Sequence, residues 1–151
     1  VLDTPGHTYA HLCFLLLDQG TAAAVFTGDT LFNAGVGPCR GGDVDSLYQT
    51  ISEQFHSLDN NVLVYPGHDY LENNLRFTLS VEPDNQQAQA WLPRVMTADP
   101  RVTPVVTCIG DEREFNSFFR LSNAQIREGL KAVNATDKEV FIKLRSLRDN
   151  W

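Results

Sequence analysis

Three times in its first half the chain runs apolar sequence against a glycine turn that ends on a histidine or an aspartate. The blocks are Thr4-Pro5-Gly6-His7-Thr8-Tyr9-Ala10-His11, Phe26-Thr27-Gly28-Asp29-Thr30 and Tyr65-Pro66-Gly67-His68-Asp69-Tyr70. The neighbouring apolar runs, Leu12–Leu17, Ala22–Thr27 and Asn61–Tyr65, are short and bounded by turn residues, which predicts buried strands rather than helices. A glycine just ahead of the polar residue lets the backbone turn tightly and approach a ligand closely. Imidazole and carboxylate are ligands that suit zinc, iron or manganese. One such turn is as readily structural as functional. Three of one design, holding three of the four histidines, point to a single convergent site. The fourth, His56, follows Phe55 in a helical stretch and reads as a surface histidine.

The sequence after the second block changes character. Residues 33–45 are rich in glycine and include Pro38, which predicts a loop. Over Ser46–Leu58, the spacing of Leu47, Ile51, Phe55 and Leu58 predicts an amphipathic helix. Asn73–Val81, Gln86–Ala98 and Ala124–Val133 also read as helices. Pro100 and Pro104, with Thr103 between them, mark a linker. Thr136–Asp149 is the best-marked helix: Thr136 can cap it, Glu139 stands three residues on as in a capping box, and Val140, Leu144, Leu147 and Trp151 share a face. The expected organisation is a strand-rich α/β segment over residues 1–81 and a helical appendage over 82–151.

Composition removes several classes of function. Hydrophobic residues make up 42% and charged residues 21%, as in folded domains. Lys and Arg number 12 against 19 Asp and Glu, and the net charge of −7 argues against nucleic acid as a partner. No apolar run is long enough for a membrane helix, and no secretory signal pattern is present. The three cysteines have no CxxC spacing, so reduced thiols in a cytoplasmic protein are expected. The chain opens on Val1 and its one methionine is Met96, which leads to the expectation of a truncated or processed product.

The segments TPGHTYAH, VFTGDTLFNAGVG and VYPGHDYLENNLRF resemble the downstream metal motifs of the metallo-β-lactamase superfamily, in particular those of the glyoxalase II (hydroxyacylglutathione hydrolase) type. EFNSFFR is more loosely similar to that family's Asn-Pro-Phe-Arg stretch. The resemblance implies the C-terminal half of an αββα fold: a short, mostly antiparallel sheet with covering helices. It also implies a metal-dependent hydrolase that converts S-2-hydroxyacylglutathione to a 2-hydroxy acid and glutathione. By the same resemblance His7 and His68 would each ligate one metal and Asp29, the catalytic carboxylate, would bridge both; zinc, iron and manganese all fit. His11 would support the site without ligating.

Tyr70, Arg145 and Arg148 match glutathione-binding positions, and the two arginines, three apart, can share a helix face. As plain helix charges they would equally suit a helix C-terminus. Arg40 follows Pro38-Cys39 where the family places a cation soon after Gly35-Val36-Gly37, and could supply that cation from a shifted position. Cys39 has no nearby histidine in sequence and is not expected to act as a nucleophile.

The superfamily's THxHxDH motif is absent from the chain, so the ligand set is incomplete and the isolated chain is expected to be weak or inactive. The alternatives are a non-catalytic, self-associating remnant of the fold and, among enzymes, a persulfide dioxygenase-like protein. One face of the sheet should pack on the Ser46–Leu58 helix. The other should need a homo-oligomeric partner or a missing N-terminal half.

Overall fold

The computed structural model describes residues 1–99, 102 and 104–151; the linker positions Pro100 and Thr103 lie outside the described residues. A five-stranded sheet has the order β1 (Leu2–Asp3), β2 (Leu12–Asp18), β3 (Thr21–Gly28), β6 (Leu63–Pro66), β7 (Thr107–Cys108). All its pairings are antiparallel except β3 with β6. A separate two-stranded hairpin, β4 (Leu31–Phe32) with β5 (Gly35–Val36), stands in the segment expected to be loop. It turns on Asn33 and Ala34, and Ala34 takes a φ of 59° without being glycine.

The helices are α1 (Val44–Thr50), α2 (Leu71–Val81), α3 (Gln86–Thr97), α4 (Ile109–Phe115), α5 (Ala124–Gly129) and α6 (Asp137–Asp149). The helix expected over Ser46–Leu58 begins earlier, capped by the Asp43 carboxylate on the Ser46 amide, and passes at Ile51–Phe55 into a wider π turn. Arg113 donates to the carbonyls of His56 and Leu58 and so closes its end. The helix expected to run to Val133 stops at Gly129, shortly before Lys131 takes a φ of 51°. Helix α6 carries the capping box of Thr136 and Glu139. Helix α4, with its charged sequence and Gly110, has too short an apolar pattern to be read in advance. His56 is half-buried and stacks on Phe119 at 4.5 Å, so it is not a surface residue; burial and the Arg113 charge lower its pKa.

The core forms where the inner face of the sheet meets the helices. Cys13, Val25 and Val64 pack with Leu47, Ile51 and Phe55 and with Phe118, Phe141 and Leu144. Residues before and after position 81 thus share one core. The outer face is different. Phe14, Leu16, Phe26, Leu63 and Tyr65 stand exposed on it. The register lays Phe14 beside Phe26 and Phe26 beside Tyr65, and the last two rings stack at 5.4 Å.

Candidate active site

The three glycine turns meet at one end of the sheet. Asp29 lies between two histidines: His68 Nδ1 is 2.7 Å from Asp29 Oδ1, and His7 Nε2 is 3.7 Å from Asp29 Oδ2. Close packing makes this possible. A Cβ on Gly67 would stand 2.6 Å from Asp29 Oδ1, and one on Gly28, at φ 50°, would stand 2.8 Å from His11 Nε2. His7 Nδ1 is 2.6 Å from the Pro38 carbonyl, which can only accept, so Nδ1 carries the proton and Nε2 is left facing Asp29.

His11 does not face the cleft as a third imidazole donor. Its Nε2 accepts the Asp29 backbone N–H at 3.3 Å, which places its proton on Nδ1, beside the hydroxyls of Thr30 and Thr4. Burial and the neighbouring His7 lower its pKa, which favours this neutral form. The effect is to hold the Asp29 backbone in place.

A cleft of about 410 Å³ opens in front of this cluster. Arg40, Tyr70, Arg145 and Arg148 all border it. The Tyr70 ring stacks on His68 at 5.4 Å and meets the edge of Phe32 at 5.1 Å. The two arginines have different surroundings. Arg148 donates to Asn74 Oδ1 at 3.3 Å and lies over Phe77 and Trp151. Arg145 is 5% exposed. Its Nη1 donates to the Val36 and Gly37 carbonyls, and its Nη2 pairs with Asp149 at 2.8 Å. Arg40 is exposed at the rim. Cys39 lies close to Arg145, and burial pushes its thiol pKa up, against a role as nucleophile.

The fit of this cluster to a metal is partial. Two imidazoles and a carboxylate form a donor set of the right chemistry. Among the described residues, however, no group of three or more His, Cys, Asp or Glu has the arrangement of a metal cage.

The family model for the hydroxyacylglutathione hydrolase C-terminus matches residues 69–151. The chain belongs to the hydroxyacylglutathione hydrolase family. A hydroxyacylglutathione hydrolase of Polaromonas sp. is 51% identical over 99% of this chain, and one from Nitrosococcus oceani is 49% identical over all of it. The chain spans 59% of the length of each of these relatives. Among solved structures, the metallo-β-lactamase of Staphylococcus aureus matches with a TM-score of 0.53 and 19% identity, over 97% of this chain and 37% of that one. ETHE1 from Myxococcus xanthus matches with a TM-score of 0.51 and 22% identity, over 97% of this chain and 51% of that one. These two likenesses establish the metallo-β-lactamase fold. No helix is long and apolar enough among the described residues to cross a membrane.

Sequence reading missed the residues that brace the cleft from behind: Asn33, Asn74, Thr107, Glu112 and Asn116. Glu112 is fully buried beneath the hairpin turn. Its carboxylate accepts from Thr107 Oγ1 at 2.7 Å, Asn116 Nδ2 at 2.8 Å and the Ala34 N–H at 2.9 Å. Burial pushes its pKa up to about 8 against the pull of these donors. The one available signal was Asn116, inside EFNSFFR.

Proposed function

We propose that the chain is the C-terminal part of a metal-dependent thioester hydrolase of the glyoxalase II type, acting on an S-2-hydroxyacylglutathione. The observation that carries this reading is Asp29 held between His7 and His68 at the mouth of a cleft bordered by Tyr70 and Arg148. His7 Nε2, His68 and the Asp29 carboxylate would supply part of the ligand set for the metal, zinc, iron or manganese, in the extended protein. Such an ion, when bound, supplies Lewis-acid stabilisation of charge developing on a thioester carbonyl oxygen.

The chain's own residues do the rest. His11 and the tight Gly28 and Gly67 turns orient Asp29. The Pro38 carbonyl fixes the His7 tautomer. Tyr70 offers a ring and a hydroxyl to the bound thioester, and Arg148 offers a cation to a glutathione carboxylate. Arg40 can reach the same anion from the rim. In this reading Arg145 shapes the cleft by holding the backbone of Val36 and Gly37. Asp149 and those carbonyls engage its Nη1 and Nη2, and only the buried Nε is without a partner. A thiolate, whose conjugate thiol has a pKa of about 8.5, is a good leaving group and takes its proton from water without a protein acid.

Two measurements test the proposal. The isolated 151-residue chain, loaded with zinc, iron or manganese, is expected to show little or no release of thiol from S-D-lactoylglutathione. The same chain extended to the length of its relatives is expected to hydrolyse it. Failure of the extended, metal-loaded protein to do so overturns the reading. Oxygen uptake with glutathione persulfide would redirect it to the dioxygenase alternative.

Gly67→Ala gives a finer check in the extended protein. Its new methyl group pushes the Asp29 carboxylate off His68, so zinc affinity should fall by roughly 10–100-fold, the usual cost of disturbing the support of a metal ligand. Calorimetric zinc titration measures this, and unchanged affinity would remove Asp29 or His68 from the ligand set.

A further inference from the structure

We propose that Glu112 is a positioning residue for the cleft, fixing the Asn33–Ala34 turn and through it the backbone that orients His7. The proposal deepens the reading of this cleft as a substrate site, but its geometry stands without that reading.

Every group facing the Glu112 carboxylate is a donor. Thr107 Oγ1 receives the Asn33 Nδ2 amide at 2.6 Å, so its own hydrogen is free to go to Glu112 Oε1. The other oxygen takes the Ala34 N–H and Asn116 Nδ2. Asn116 Nδ2 also lies 3.3 Å from the Gly35 carbonyl, and Asn74 Nδ2 donates to the Asn33 carbonyl at 2.9 Å. The turn is therefore gripped by side chains of α2 and α4, with Glu112 the residue that holds the Ala34 N–H. A non-glycine residue at positive φ persists where its surroundings over-determine it. Ala34, at 59°, has such surroundings, and Glu112 is its partner.

The hairpin has two outputs into the cleft. Before the turn, Phe32 sets its ring edge-on to Tyr70 and to His68. After it, the chain runs through Val36 and Gly37 to Pro38, whose carbonyl meets His7 Nδ1. Gly37 is pinned there, since its N–H donates to the Thr30 carbonyl and a Cβ on it would overlap the Asp29 carbonyl. Arg145 Nη1 also holds the Val36 and Gly37 carbonyls, so a shift at Ala34 reaches His7 only by straining these anchors, while Phe32 feels it directly on the other side of the turn.

Glu112→Leu and Glu112→Gln separate positioning from bulk stability. Glutamine can keep an oxygen toward the Ala34 N–H; leucine cannot. Side-chain nitrogen NMR of His7 in the metal-free chain is the first readout. The wild type and Glu112→Gln should show the Nδ1-protonated tautomer, and Glu112→Leu should lose it. The affinity for S-methylglutathione, measured in the extended protein carrying the same substitutions, is the second readout. It should fall by roughly tenfold or more in Glu112→Leu, as for sub-ångström misplacement of binding groups, and stay near wild type in Glu112→Gln.

Should the wild type fail to bind S-methylglutathione, the substrate reading falls while the His7 signals still judge Glu112. A folded Glu112→Leu with the wild-type His7 tautomer overturns the proposal. So does equal impairment of both variants. If Glu112→Leu does not fold, Glu112→Asp, whose side chain is one methylene shorter and draws the carboxylate back from the Ala34 N–H, takes its place with the same two outcomes.

Discussion

At micromolar concentration the 151-residue chain should sediment as a dimer or larger assembly of itself, and Phe14→Ser with Phe26→Ser should return it to monomer. The driving surface is the outer face of the sheet, where Phe14, Leu16, Phe26, Leu63 and Tyr65 are 37–53% exposed. Together they leave several hundred Å² of apolar area in water. At ~25 cal/mol per Å², covering it contributes roughly 10 kcal/mol. That is comparable with the whole stability of an ordinary domain, about 5–15 kcal/mol. A two-fold axis through this face would cover the patch of each copy with that of the other. The aromatic row running from Phe14 through Phe26 to Tyr65 holds no charged side chain of its own. Analytical ultracentrifugation decides it. A compact, cooperatively unfolding wild-type monomer would show that this face tolerates water and that the area argument fails here.

Arg120→Ala should cost the chain about 3 kcal/mol of stability, the low end for breaking a buried ion pair, because Glu82 is buried while Arg120 is partly exposed. Arg120 Nε and Nη2 donate to the two oxygens of Glu82 at 2.8 and 2.6 Å. Glu82 is 4% exposed and also accepts from Asn85 and Asn123. The pair ties the end of α2 to the caps of α3 and α5, because Asn85 and Asn123 are the capping residues of those helices. Without the guanidinium, two neutral amides must hold a buried carboxylate alone. Urea denaturation of the wild type and Arg120→Ala measures the loss. Glu82→Leu with Arg120→Met should recover most of it, since an apolar pair leaves no stranded charge. A loss below about 1 kcal/mol would mean that the two amides suffice or that water reaches the carboxylate.

Much of the architecture was legible in local patterns. The strand runs around Leu12–Leu17 and Ala22–Thr27, the helices at Gln86 and Thr136, and the meeting of His7, Asp29 and His68 all follow from periodicity, capping or glycine turns. The strand and helix signals lie within a few residues of one another, so neighbours along the chain suffice to read them; for His7, Asp29 and His68 only the three turns are local, and their meeting is made by the fold. The hairpin at Leu31–Val36 was hidden in a glycine-rich segment, because its strands are two residues long and its stabilising partners are remote. Ala34 depends on Glu112 and Asn33 on Thr107, pairs 78 and 74 residues apart.

Arg145 makes the same point. In sequence it stands three residues from Arg148 as an equal cation. In the fold both border the cleft, but the Arg145 guanidinium is buried against the carbonyls of Val36 and Gly37, 109 and 108 residues away, while Arg148 lies beside Asn74. Local sequence sets which residues can cap, turn or pair. Which buried donor finds which acceptor is settled when the sheet, the hairpin and α6 come together, because leaving a buried polar group unmatched is costly; among the described residues only the Ser117 Oγ and Arg145 Nε side-chain atoms are buried without a partner.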